Sequence, residues 1–328
     1  MTVGNTQNEA SQGQYKVDDY MRIPVEKTRW EAIRDVFYNP NEHTVLGRTN
    51  KQWGITGLFY LVFFSCLAVF CAMCYHGFMA TLSYERPRWT LDSSLIGTNP
   101  GLGFRPLPRI PEARSLIWYN ATNATQVDDW VSNIDEFLTH YRDSSKLPNG
   151  GRNQQVCSYE HQNVEPGNVC AVEVHQFGPC SPKTKYGFHN SSPCVFIKLN
   201  RIFGWIPDYY NNPNQLPEEM PQDLIARIKT YNSTWLNTIW ISCKGADPFD
   251  RENIGPIKYF PEFFPQGLPG FYYPYENIPG YLSPLLAVQF ERPKTHVIIA
   301  VECRAWAKNI QYDPYLKLGM VHFELLID

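Results

Sequence analysis

The chain reads as a single-pass membrane protein: one transmembrane α-helix followed by a disulfide-bonded antiparallel β-sandwich carrying one packed helix. Three observations carry this reading. No Asp, Glu, Lys or Arg occurs between Lys51 and Glu85, and Gly54 to Ala80 is almost wholly apolar and aromatic. Six cysteines and four Asn-Xaa-Ser/Thr acceptor sequences all lie beyond that run. The remainder alternates short Val/Ile/Phe-rich runs with Pro, Gly and Asn clusters.

The apolar run is long enough to cross the hydrocarbon core, which takes about 20 residues. A helix is the only single segment that satisfies its own backbone there. The run is too long for the core of a cleaved signal peptide and has no clear small-residue cleavage site beyond it, so residues 53–80 are expected to be an uncleaved signal anchor. Flanking charge gives no orientation, because Arg48 and Lys51 at one end balance Arg86 and Arg88 at the other. Cysteine and asparagine chemistry does. Cys157, Cys170, Cys180, Cys194, Cys243 and Cys303 fit a disulfide framework in an oxidising compartment. The sequons at Asn120, Asn123, Asn190 and Asn232 are modified only in the secretory lumen. Residues 81–328 are therefore expected outside the cell and residues 1–52 in the cytoplasm.

Residues 1–20 are polar and poor in branched apolar side chains, a composition expected to stay disordered. Trp30, Ile33, Val36 and Phe37 form a short amphipathic pattern, suited to the inner leaflet, a partner or simply a helical linker. Within the span, Tyr60 and Tyr75 lie about 22 Å apart along the axis and ~60° apart in azimuth. They share a broad face with Phe64, Cys71 and Phe78. Ser65, Ala68 and Ala72 mark a second face suited to close helix packing. Cys66, Cys71 and Cys74 read as packing residues, with acylation the lesser alternative.

The exterior region begins with a Pro- and Gly-rich stalk within residues 81–111, expected as an extended strap and not as a helix or central strand. Thr125 and Asp128 form a capping-box-like start to a helix whose apolar face is Trp130, Ile134, Phe137, Leu138 and Tyr141. Strands are expected at Val195–Leu199, Ile239–Cys243, Leu285–Phe290, Val297–Ala305 and Met320–Ile327. By proximity, Cys157 pairs with Cys170, Cys180 with Cys194, and Cys243 with Cys303, although six cysteines allow many other pairings. The first two loops would contribute about 3 kcal/mol each and the third roughly 4 kcal/mol in the chain-entropy model.

Catalytic motifs are missing. No HExxH, GxSxG, P-loop or glycine-rich dinucleotide fingerprint occurs. No Asp-Xaa-Asp metal site of an anchored glycosyltransferase follows the span, Asp247-Pro-Phe-Asp250 having the wrong spacing. The exterior histidines are scattered, so neither a catalytic residue, a metal site nor a cofactor is expected. A net charge of −3 without a large basic patch gives no reason to expect nucleic acid as a partner. The unusual feature is a Pro/Gly-rich stretch crowded with Phe260, Phe263, Phe264, Phe271, Tyr272, Tyr273, Tyr275 and Tyr281. These rings suit an interface, or else they cover the domain's own sheet.

Several segments, in this order and spacing, resemble one family. They are Leu46-Gly47-Arg48-Thr49, Leu58-Phe59-Tyr60, Cys194 with Ile197-Lys198-Leu199-Asn200-Arg201 and Gly204, Tyr272-Tyr273-Pro274-Tyr275, Leu285-Leu286-Ala287-Val288-Gln289-Phe290, and Glu302-Cys303 with Asn309-Ile310. The family is the β subunits of the Na,K-ATPase and its H,K-ATPase relatives, and the resemblance runs from about Trp30 to the C-terminus. It implies an immunoglobulin-like sandwich with an inserted helix and the same three disulfide pairs. It further implies a non-catalytic type II plasma-membrane subunit. Such a subunit lets the catalytic α subunit fold and leave the endoplasmic reticulum, and it tunes potassium binding. The implied partners are that α subunit, membrane lipid and a small single-pass regulatory subunit. Tyr60, Phe64 and Tyr75 would lie against an α helix; Tyr272, Tyr273, Tyr275, Val288 and Phe290 are the candidates for contact with an α loop. Sodium rather than proton is taken as the counter-ion because that branch is broader. Two departures stand out: Phe63 and Phe64 lie where common relatives carry another Tyr, and His189-Asn190-Ser191 adds a glycan acceptor to the second short loop. A different class of function, adhesion or junction formation without a pump, remains the alternative.

Overall fold

The computed structural model describes residues 28–39, 43–162, 164–262 and 264–328. The expected disorder of residues 1–20 and the ring of Phe263 lie outside the described residues. The chain divides into two compact units, one ending at Thr81 and the other spanning Leu82–Asp328.

The first unit holds two helices joined by a small antiparallel meander. Helix α1 (Arg29–Phe37) is followed by β1 (Tyr38–Asn39), β2 (Thr44–Val45) and β3 (Arg48–Thr49). Val45 pairs with Arg48, so Leu46 and Gly47 form a two-residue turn with φ of +52° and +74°. Positive φ at both central positions is the hairpin geometry that matches strand twist. The turn delivers Thr49 to the start of α2 (Asn50–Ala80) as its N-cap: Gln52 N–H donates to Thr49 Oγ1, and Thr49 N–H donates to Gln52 Oε1. That reciprocal box satisfies two of the donors a helix start leaves open. Trp53 Nε1 donates to Val45 O at 2.8 Å and Arg48 donates to Thr56 Oγ1 at 2.9 Å, tying the turn to the first helical turns. No residue of α2 is buried, and its length and composition suffice to cross a membrane.

The second unit is β-rich. In chain order its strands are β4 (Leu102–Arg105), β5 (Leu116–Tyr119), the short β6 (Gln154–Gln155) and β7 (Val169–Cys170), β8 (Cys194–Leu199), β9 (Thr238–Gly245), β10 (Ile257–Phe260), β11 (Gly267–Pro269), β12 (Leu286–Phe290), β13 (Ile299–Trp306) and β14 (Met320–Ile327). One sheet has the order β10–β12–β8–β4 and the other β11–β9–β13–β14–β5. Pairing is antiparallel in both except for the parallel β14–β5 pair. The sheets share one apolar core. Phe104 of β4 and Phe290 of β12 both pack on Phe323 of β14, with centroids 4.8 and 5.9 Å apart. Register makes Ile197, Val288 and Phe290 neighbours of Phe104 on this inner face, while Arg105 and Phe196 fall on the outer one.

Helix α3 (Ala124–Arg142) is the one packed helix the sequence predicted, burying Val127, Ile134 and Leu138. Its start differs from expectation. The N-cap is Asn123, whose Oδ1 accepts from Thr125 and Gln126 N–H at 3.1 and 3.4 Å. Asn caps a helix as well as any residue, so the helix begins before Thr125. Asp128, freed of a capping role, pairs with Lys185 at 2.8 Å. The two smaller helices are α4 (Gln222–Ile228) and α5 (Pro248–Asn253).

The strap is not wholly extended. It makes a 3₁₀ turn at Leu91–Ser93 and then supplies β4, the edge strand of the four-stranded sheet. An edge tolerates the adjacent Pro106, whose missing N–H has no ladder to break. The disulfides join Cys157 to Cys170, Cys180 to Cys194 and Cys243 to Cys303. The last connects two neighbouring strands of one sheet, β9 and β13, in directly opposed register.

Candidate partner-binding surfaces

Among the described residues no group of three His, Cys, Asp or Glu side chains could hold a metal ion. The surfaces that stand out are aromatic, one on each unit.

On α2 the spacing of rings produces a ladder. Tyr60 stacks on Phe64 with centroids 5.9 Å apart, and Phe59 on Phe63 at 6.1 Å. Edge contacts of Phe59 with Tyr60 and of Phe63 with Phe64 join the two stacks into one exposed aromatic plate. Residues four apart share a helix face, which is why a Phe-Tyr-Leu-Val-Phe-Phe string yields paired stacks. Tyr60, Phe64 and Tyr75 all remain exposed, and neither tyrosine hydroxyl has a hydrogen-bond partner among the described residues. Tyr75 lies edge-on to His76 instead of joining the ladder. Cys66, Cys71 and Cys74 are free thiols on the same exposed helix.

In the β-rich unit the aromatic stretch packs largely against its own domain. Tyr272 donates its hydroxyl to Ala171 O at 2.9 Å. Tyr273 meets Trp205 edge to face at 5.8 Å, and its hydroxyl is buried without a partner among the described residues. Burial holds both phenols well above their ordinary pKa, with the Glu173 carboxylate adding to the effect at Tyr272 and neighbouring phenols at both. Phe264 stacks on Trp235. Tyr275 reaches outward: it packs on Tyr281 at 5.0 Å and on Phe203 at 6.4 Å, and it donates its hydroxyl to Asn277 Oδ1. Gly204 N–H donates to Tyr275 O, which fixes the segment beside the chain that leaves β8.

Val288 and Phe290, expected to meet a partner, are fully buried in this chain's own core. Their apolar strand sits in the middle of the four-stranded sheet, and alternation turns both side chains toward Phe323 and the opposite sheet. They cannot contact another chain without opening that core.

Arg201 carries more than its place in a motif suggested. Its guanidinium lies 5.3 Å from the Tyr275 ring and 5.2 Å from the Tyr281 ring, and it donates to Ser283 Oγ and Tyr281 O. It thereby pins the loop after Tyr275 to the end of β8. Cation–π geometry of this kind needs residues distant in sequence, so no local pattern announces it. Of the sequons, Asn123, Asn190 and Asn232 are exposed and Asn120 is half-buried. Asn120 Oδ1 accepts from the backbone N–H and hydroxyl of Thr122, its own sequon partner.

Comparison with known proteins agrees with these features. The family model described as sodium/potassium ATPase beta chain matches residues 24–323. The chain is 45% identical over 313 residues to the sodium/potassium-transporting ATPase subunit beta-2 of Drosophila melanogaster, covering 94% of this chain and 96% of that protein. It is 42% identical over 300 residues to the beta-1 subunit of the same organism, covering 91% and 93% of the two chains. A probable beta-3 subunit of Caenorhabditis briggsae is 34% identical over 305 residues, covering 92% and 88%. With the match extending through the apolar helix, the half-cystine strands and the Tyr272–Tyr275 segment, the chain belongs to the sodium/potassium ATPase beta-chain family.

Proposed function

We propose that this chain is the non-catalytic β subunit of a sodium/potassium pump, pairing with the catalytic α subunit and required for its folding, assembly and delivery to the plasma membrane. The observation that carries this reading is α2: a helix apolar enough to cross a membrane, none of whose residues is buried, bearing a stacked plate of Phe59, Tyr60, Phe63 and Phe64. Packing of large rings against a partner helix gains contact that lipid tails supply less specifically. The chain is proposed to run type II, with residues 1–52 cytoplasmic, 53–80 spanning the bilayer and 81–328 outside. Three disulfides and exposed sequons support that orientation. The two-sheet domain is read as an immunoglobulin-like sandwich with α3 inserted, and its outward rings at Tyr275 and Tyr281 as a cap on the α subunit. The chain brings no catalytic group to the pump; its influence on potassium affinity would come from contacts that differ between the two pump conformations.

The test is extraction of the intact protein in mild detergent, affinity capture, and assay of the captured material for a larger polypeptide that forms an acid-stable phosphoenzyme from ATP. A sodium-dependent phosphoenzyme discharged by potassium is expected. A sodium-independent one would assign the chain to a proton pump, and capture of a correctly disulfide-bonded chain with no phosphorylated partner would overturn the pump reading in favour of adhesion.

A further inference from the structure

A groove of about 620 Å³ opens in the β-rich unit between the C-terminal half of α3, the end of β8 and the loop from Tyr275 to Leu282. Its charged lining is cationic: Lys146, Lys198 and Arg201, with no acidic side chain. Register explains the cluster. Lys198 follows Phe196 on the outer face of β8, and Arg105 of the neighbouring β4 lies on the same face one pair along. Arg105 in turn sits 5.5 Å from the ring of Phe137, which lines the groove from α3. Like charges gathered this way repel, and burial together with Arg105 and Arg201 depresses the pKa of Lys198.

None of these cations forms an ion pair among the described residues, although Lys146 lies near enough to Asp143 to feel its carboxylate. The ion pairs among the described residues are elsewhere, and Lys198 Nζ has no hydrogen-bond partner among them. Arg201 is spent on a hydroxyl and a carbonyl, neither of which neutralises it. A half-buried lysine held between two arginines without a counter-charge is costly unless an anion visits it. The rings of Tyr275 and Tyr281, which Arg201 also contacts, line the same groove and add flat apolar surface edged by polar groups. A pyranose ring bearing an acid matches this lining: its oxyanion meets the cations and its C–H face covers a phenol ring.

We propose that this groove is a binding site for an acidic sugar, with Lys198 and Lys146 holding its carboxylate or sulfate and Tyr275 and Tyr281 packing on the ring. Tyr275 and Tyr281 are also the rings read above as a cap on the α subunit, so the proposal concerns the chain with that surface free, and it is tested on the isolated chain, where its failure leaves the pump-subunit reading untouched. The two sources of such a ligand are a sialylated N-glycan and a sulfated polysaccharide.

The purified full-length chain in detergent is titrated by calorimetry with sialyllactose, a heparin-derived tetrasaccharide, lactose and a hexaglutamate peptide. At least one acidic sugar is expected to bind at least tenfold more tightly than lactose, the better of the two identifying the source, and to weaken with added salt. Lys198→Gln is expected to lower that affinity about tenfold or more, as loss of a charge-assisted contact does. Lys146→Gln, at an exposed position that folding does not need, should lower it in the same direction. Equal binding of lactose and the acidic sugars, or unchanged affinity in both variants, overturns the proposal. So does hexaglutamate binding with no acidic-sugar binding, which would assign the groove to a protein segment.

Discussion

Cys243 and Cys303 stand directly opposite each other in β9 and β13, with Cα atoms 4.0 Å apart. That is a cross-strand bond in the middle of the five-stranded sheet, between strands already held by their ladder. Its contribution therefore lies mostly in the unfolded chain, where it closes a separation of 60 residues. The chain-entropy model gives about 4 kcal/mol for such a loop. The other two bridges close separations of 13 and 14 residues, for which the same model gives about 3 kcal/mol each. Replacing both cysteines of the Cys243–Cys303 pair with serine should lower the guanidinium midpoint more than the same change at Cys157 and Cys170. Equal losses would mean that native-state contacts, and not loop closure, set the contribution of each bond.

The turn that starts α2 makes a sharper prediction. Gly47 has φ of +74° with open space around the position a Cβ would take. An alanine there meets no clash but must sit in the left-handed region, at a cost of roughly 1–2 kcal/mol. The strain should loosen the hairpin and with it the Arg48–Thr56 and Trp53–Val45 bonds. Gly47→Ala is thus expected to speed tryptic cleavage after Arg48 in the detergent-solubilised chain. Gly54→Ala, in a helical position with equally open surroundings, should not. Equal cleavage in the two variants would sink this account of the motif.

What the sequence revealed follows the range of the signal. Helix α2 and the strands β8, β9, β12, β13 and β14 are long, apolar or alternating, and were legible within a few residues of their ends. The strands β4, β5, β10 and β11 were not. Each has four residues or fewer, and each is held in place by pairing with a distant partner: Leu116–Tyr119 with the C-terminal strand, Gly267–Pro269 with β9. Short segments of that kind owe their conformation to tertiary context and not to propensity. The same limit applied to the surfaces. Aromatic crowding pointed to the Tyr272–Tyr281 segment, but which rings turn inward, and that Arg201 would clasp Tyr275 and Tyr281, depend on chain segments far apart. Val288 and Phe290 were misplaced because motif letters carry no facing; register with β8 and contact with Phe323 supply it.

Alkaline pH provides a further test of burial. Tyr141, Tyr259 and Tyr272 all have phenols raised above the ordinary value by burial, which at Tyr259 outweighs the opposing hydrogen bond from the Cys243 N–H. An unfolded phenol titrates near about 10. Above that pH the unfolded chain has lost protons that the native chain retains, so the unfolded state binds fewer and stability falls as pH rises. Denaturation midpoints should be insensitive to these groups below pH ~9 and drop above pH ~10. Phenolate absorbance of the native chain should reveal a set of tyrosines that ionise only on unfolding. If all 20 tyrosines ionise together near their ordinary value while the disulfides and β-structure persist, the packing described here is wrong.

The inner and outer aromatic residues should separate cleanly under mutation. Phe290 is fully buried against Phe323, so Phe290→Ala removes core contact and is expected to destabilise the domain by about 3–5 kcal/mol. Tyr60 and Phe64 have ring contacts only with each other and with Phe59 and Phe63 of the same helix and are exposed, so Tyr60→Ala with Phe64→Ala should leave the denaturation midpoint of the β-rich unit unchanged. If α2 is packed against a partner helix, the loss must appear there, and truncating a central aromatic contact commonly costs about 2 kcal/mol or more of association. Co-purification with the phosphorylated partner should fall accordingly in the α2 variant, at unchanged disulfide content. In a chain carrying Phe290→Ala, capture should fall only in proportion to the fraction unfolded. A Tyr60/Phe64 variant that captures its partner as well as the parent would move the contact off this ladder, toward the Ser65–Ala68–Ala72 face, where small side chains allow closer helix approach.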